Sequence, residues 1–245
     1  MFERLRDRGF EVECTSHAEA IILHDFPDLI GELESALDQT VIPVTEIIGG
    51  GGGEAKVTQR LRRSLAAMQW TKHNFELKKS VDGVPKESIS HEIDHVRRTP
   101  KGVFALEIEW NNKDPFFDRD LENFKRLHAE GAISIGAIVT RGSAMQAEMR
   151  ERVEHFARER GISGYVDLEA YDAGSPTRAQ RKQIDADIAR GAEFTVAWAR
   201  KFTADKFGAA TTHWSKLQDR IRRGVGNPCP LVLIGLPPSI IDMSA

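Results

Sequence analysis

The 245 residues carry 40% hydrophobic side chains, enough to bury a sizeable core and to exclude a disordered chain. No apolar run approaches the roughly 20 residues needed to cross a bilayer, and the opening residues lack the apolar stretch of a signal peptide, so a membrane or secreted protein is excluded as the first reading. Thirty-four Lys and Arg against 37 Asp and Glu give a net charge of -3, which argues against a surface basic all over and leaves room for a local basic cleft.

The two cysteines, Cys14 and Cys229, are too few for a disulfide framework or a cysteine-rich zinc module. They read as buried thiols in a reducing compartment, and the expected location is the cytoplasm. Residues 10–14 and then 21–23 read as short apolar segments, the first a strand. Residues 26–37 have helical spacing, with Leu29, Leu33 and Leu37 on one face. The five glycines at 49–53 mark a hinge or a close backbone approach, and no Gly-Lys-Ser/Thr follows to make a phosphate-binding loop. A helix over 55–70 turns Val57, Leu61, Leu65 and Met68 inward.

The period then changes. Residues 73–81, 89–96 and 103–110 read as strands, with 97–102 as the turn joining the last two. A helix spans 115–129, with Pro115 at its start and Phe117, Leu121, Phe124 and His128 on one face. A buried strand follows at 133–140 and a charged amphipathic helix at 144–160. Residues 174–190 are polar enough for a mobile loop or an exposed helix. Helices over 192–207 and 211–223 precede a last strand at 231–236. The order predicts an α/β fold with a mixed central β-sheet flanked by helices, in a single domain over 1–245.

The informative segment is Val103-Phe104-Ala105-Leu106-Glu107-Ile108-Glu109-Trp110. Period-two alternation places Glu107 and Glu109 on one face of a strand whose other face is apolar. A hairpin centred on Pro100 and Lys101 sets Asp94 opposite Glu107, where like charges repel unless something compensates them. A hard divalent cation held by these carboxylates, with the Ile108 carbonyl as an extra ligand, is one answer. Such a cation polarises a phosphoryl oxygen, and Glu109 stands where it can orient or deprotonate a water. The overlapping His91-Glu92-Ile93-Asp94-His95 fits H-E-x-x-H and opens a second reading, a zinc peptidase; on a strand the two histidines are too far apart to share a metal.

An Asp, a hairpin and an E-x-E strand end resemble the PD-(D/E)xK nuclease core. More closely, Ile93-Asp94-His95-Val96, Leu106-Glu107-Ile108-Glu109-Trp110-Asn111-Asn112, Pro115-Phe116-Phe117 and Ala137-Ile138-Val139-Thr140-Arg141-Gly142 resemble the BglII/BstYI group of type II restriction endonucleases. Segments from Phe10 to Leu23 and from Trp70 to Leu77 look similar to that group as well. The resemblance covers roughly residues 10–145, with a nuclease core over about 54–142 and an elaboration over 143–245. It implies a homodimer cutting a short palindromic site in double-stranded DNA with Mg2+, for which Mn2+ can substitute, and a companion DNA methyltransferase in the host. Asp94 and Glu107 are then the catalytic metal ligands, and Glu109 occupies the place of the motif's usual Lys. Asn74 becomes a polar residue behind the metal. Asn111, Asn112, Arg141 and Ser143 become DNA contacts, and Arg97, Arg98 and Lys101, carried on a longer hairpin turn, hold phosphates at the mouth of the site. Asn suits an adenine edge and Arg a guanine edge on chemical grounds. A catalytically decayed DNA-binding or assembly protein of the same fold is the alternative. In the segment from Thr211 to Arg223, a DNA-facing helix competes with a solvated helix that buries Trp214.

Overall fold

The computed structural model describes residues 1–50 and 53–244; Gly51 and Gly52 of the glycine run lie outside the described residues. In chain order the elements are α1 (Glu3–Asp7), β1 (Glu11–Thr15), α2 (Ala18–Asp25), α3 (Pro27–Asp38), β2 (Ile42–Pro43), α4 (Val44–Ile48), α5 (Lys56–Ala67), β3 (Thr71–Val81), β4 (Val84–Thr99), β5 (Gly102–Glu109) and α6 (Pro115–Ala129). There follow β6 (Ile135–Arg141), α7 (Ser143–Glu159), α8 (Tyr165–Glu169), α9 (Arg178–Ala189), α10 (Phe194–Lys206), α11 (Trp214–Arg222), β7 (Leu231–Leu236) and β8 (Ile241–Asp242).

Among the described residues the main sheet has six strands in the order β1-β7-β6-β5-β4-β3. The central β5, β6 and β7 run parallel, and β1, β4 and β3 are antiparallel to their neighbours. A strand from each end of the chain thus enters the same sheet as the hairpin. Both faces are covered, so β6 and β7 are buried along their whole length and read as continuous apolar runs. One face packs Ala105, Ile138, Leu231 and Leu233 against Phe117, Leu121 and Phe124 of α6 and Trp214 and Leu217 of α11. The other packs Phe104, Leu106, Val139 and Ile234 against Ile22, Leu61, Leu65, Met149 and Trp198. Contact with α6 is close enough that a Cβ on Gly136 would meet the Phe124 ring at 2.7 Å.

Several expectations change. Residues 21–23 lie inside α2, because Ala18 and Ile22 supply a buried helical face that the short apolar run hides. The polar stretch 174–190 contains the helix α9, held by a Thr177–Gln180 capping box and a single buried anchor, Ile184. Trp214 is core. Cys229 is buried and Cys14 half-buried, both as free thiols. The hairpin register follows the expected pairing, with His95 opposite Leu106 and Thr99 opposite Gly102. Its turn is tighter than expected, so Arg97 and Arg98 belong to β4. No helix among the described residues is long and apolar enough to cross a membrane.

Candidate active site

The ladder between β4 and β5 ends at the pair His95–Leu106, whereas β5 stays paired with β6 as far as Glu109. Where the two strands part, β4 carries one extra residue against β3, since Thr71 pairs with Val96 and His73 with Ile93. A bulge of this kind bends the strand and re-aims its side chains. It leaves Asp94 more than half exposed, 3.6 Å from Lys72 Nζ, with its backbone N–H donating to Glu107 Oε1 at 3.4 Å. The carbonyl of Glu109 accepts from Thr140 Oγ1 on β6. Successive carbonyls alternate along a strand, so the Ile108 carbonyl points to the opposite edge, the one β4 has left.

Glu107 and Glu109 are 4% and 3% exposed although both lie at the carboxyl end of the parallel strands. Asn112 Nδ2 donates to Glu109 Oε2 at 2.6 Å, and the backbone around Asn112 is tied to Thr212 in both directions. A further carboxylate comes from α6: Asp120, 1% exposed, lies against the Glu109 carboxyl. Its charge disfavours ionisation of Glu109. Arg119 approaches both, with Nη2 2.7 Å from Asp120 Oδ1 and 3.6 Å from Glu109 Oε1. Sequence reasoning missed Asp120, although a signal existed. It falls within the stripe Phe117, Leu121, Phe124 at helical spacing, a charged residue on the face that must be buried.

Burial dominates the electrostatics. Desolvation, then the charges of Asp120 and Asp94, holds Glu107 well above the usual carboxylate range. Desolvation and Asp120 push Glu109 up to about 8, against the pull of Asn112 and Arg119. Asp120 is raised as well, by desolvation. Negative charge is therefore crowded here in a way that protons, or a cation, must relieve. Asp120 Oδ2 is buried with no N–H or hydroxyl donor. These oxygen donors fit a hard divalent cation. Among the described residues no three acidic, imidazole or thiol side chains converge on one metal point, and the expected set of Asp94, Glu107 and the Ile108 carbonyl contains only two side chains.

The other expected site residues disperse. Asn74 accepts from Ser90 Oγ at 2.6 Å and stands one strand away, opposite Glu92. Asn111 has a buried Oδ1 without a donor, and Asn112, an exposed residue, donates its amide N–H to Glu109. Arg97 is ion-paired with Glu32 at 3.0 Å, Arg98 stacks on Phe75, and Lys101 is at the hairpin turn. The turn lies at the opposite end of β5 from the carboxylates, about 20 Å from Glu107 at the usual strand rise. These three do not line the mouth of the site, because the hairpin ends tightly and far from it. Arg141 is 0% exposed, bonded to Thr211 Oγ1 and the Thr212 carbonyl and stacked on Phe207 and Trp110. It presents no edge to a base in this structure, and burial draws its guanidinium down to about 9. Ser143 starts α7 and donates to the Glu11 carboxylate.

The H-E-x-x-H pattern carries no metal site. It lies on β4, and the bulge separates its histidines by face: His91 neighbours Asn123 and Arg126 of α6, while His95 neighbours Arg62 of α5 and the Leu106 carbonyl. The sheet stands between them, which removes the zinc-peptidase reading.

A family model described as restriction endonuclease BglII/BglIII matches residues 10–236, well beyond residue 145 where the sequence motifs stop. No curated protein matches the chain.

Proposed function

The chain belongs to the BglII/BglIII restriction endonuclease family and is a type II site-specific deoxyribonuclease, and from this premise we propose that it hydrolyses DNA at a short palindrome through Asp94, Glu107 and Glu109. The observation that supports the reading is the buried carboxylate group at the end of β5, whose crowding a bound cation would relieve. Asp94, Glu107 and the Ile108 carbonyl would hold the ion, Mg2+ with Mn2+ as a substitute. A divalent cation there supplies Lewis acidity toward a phosphoryl oxygen and neutralises developing charge.

The protein groups do the rest. Asn112 fixes the Glu109 carboxyl, which in its ionised form accepts the proton of a water attacking phosphorus while one P–O ester bond breaks and the departing oxygen takes a proton from solvent. No covalent enzyme intermediate is needed, since among the described residues no activated Ser, Cys or His nucleophile accompanies the cluster. Two copies of the chain related by a two-fold axis would match a palindrome and cut both strands. A companion methyltransferase modifying the same site would protect the host DNA, and the natural compartment is the cytoplasm. A catalytically decayed protein is the less favoured reading, because the carboxylate cluster is retained in full at the end of β5.

Digestion of genomic DNA by purified protein with Mg2+ at low salt, followed by sequencing of the ends, tests the proposal. Discrete ends sharing one palindrome support it. No cleavage with Mg2+ or Mn2+ would move the assignment to a decayed binding protein.

A further inference from the structure

We propose that Arg119, anchored on Asp120, contacts the scissile phosphate and supplies a fixed positive charge beside Glu109. The inference rests on the carboxylate site described above. At the place of the motif's usual Lys this chain has Glu109, so the end of β5 offers only negative charge. Attack on a phosphodiester gathers further negative charge on the phosphoryl oxygens, and a fixed cationic donor is the most effective protein contribution to stabilising it.

Arg119 is the cation placed to serve. Its charge acts first on Asp120, then on Glu109 and Glu107. Its Nε donates to Asp120 Oδ1 at 2.8 Å and its Nη2 lies 2.7 Å from the same oxygen. Both contacts fall on one oxygen of one carboxylate, so the guanidinium keeps N–H donors to spare. The Phe116 ring lies beneath it, 4.4 Å from the guanidinium carbon, and fixes its plane at the rim. An arginine serving only to neutralise Asp120 would be enclosed with it. Asp120 is 1% exposed and Arg119 54%, so the carboxylate is the buried anchor and the guanidinium the part offered to solvent. The long 3.6 Å approach to Glu109 Oε1 is weak enough to exchange for a phosphate oxygen.

The test compares wild type, Arg119→Ala and Arg119→Lys by DNA affinity against salt in Ca2+, by single-turnover cleavage in Mg2+, and by thermal melting. Arg119→Ala should slow cleavage by about 10²–10³-fold and make the salt dependence of binding shallower by about 1 per site. Arg119→Lys keeps the charge and the salt slope, yet should cut at least about tenfold more slowly, since an ammonium lacks the planar fork. Should the alanine variant fail to fold, the lysine variant decides alone. Wild-type cleavage by a folded variant, or an unchanged slope in Arg119→Ala, overturns the proposal. Glu107→Gln separates the two levels. If it is inactive while the Arg119 variants cut normally, only the assignment of Arg119 falls; if Glu107→Gln itself cuts at the wild-type rate, the carboxylate site falls and takes Arg119 with it.

Discussion

Glu109→Gln should make the metal-free protein more stable at alkaline pH and leave it nearly unchanged at pH 5. Glu109 ionises near 4.5 in the unfolded chain and at about 8 in the fold, pushed up first by desolvation and then by Asp120. Between those two values the native state binds the proton that the unfolded state has released, so native stability falls as pH rises. The gap corresponds to about 5 kcal/mol at most between pH 4 and pH 9. A practical window from pH 5 to 8.5 should show roughly 3–4 kcal/mol of it, because it stops short of both ends of the transition. Glutamine keeps the shape, still accepts from Asn112 and can donate to Asp120, so the variant lacks this slope without losing the contacts. Urea unfolding with chelator at several pH values measures both curves. Added Ca2+ should reverse the trend for the wild type, since a cation takes the place of protons more readily as pH rises. Parallel curves for wild type and variant in the absence of metal would refute the electrostatic account of the site.

The remaining predictions are more direct. Glu107→Ala should abolish cleavage while leaving DNA binding without Mg2+ mostly intact, and a variant cutting at the wild-type rate would dismiss the assignment. Asn112→Ala should lower kcat by about tenfold or more with little change in KM, because it frees Glu109 without removing a base contact; a loss confined to DNA affinity would instead point to base reading. Arg141→Ala should leave the salt slope of DNA binding unchanged, since the side chain is fully buried; a shallower slope would show that Arg141 reaches a phosphate. His91→Ala should still cleave DNA, as its imidazole sits against α6 and not among the carboxylates.

What the sequence by itself determined follows from local rules. Period-two alternation in 103–110 put Glu107 and Glu109 on one face, and the register around Pro100 and Lys101 brought Asp94 to the same end, because strand geometry leaves no other arrangement for a tight hairpin. Pro115 and the apolar stripe set the α6 boundaries at Pro115–Ala129. Tertiary structure alone decided the rest. Asp120 reaches Glu109 only because α6 folds back onto the sheet, and no spacing within β5 announces a carboxylate from another element. Arg141 and Arg97 look like free basic side chains in a linear chain, yet Thr212 and Glu32, residues distant in sequence, close over them. The bulge beside Asp94 and His95 turned a literal metal motif into two histidines on opposite sides of a sheet, because a single extra residue reverses which face a strand presents.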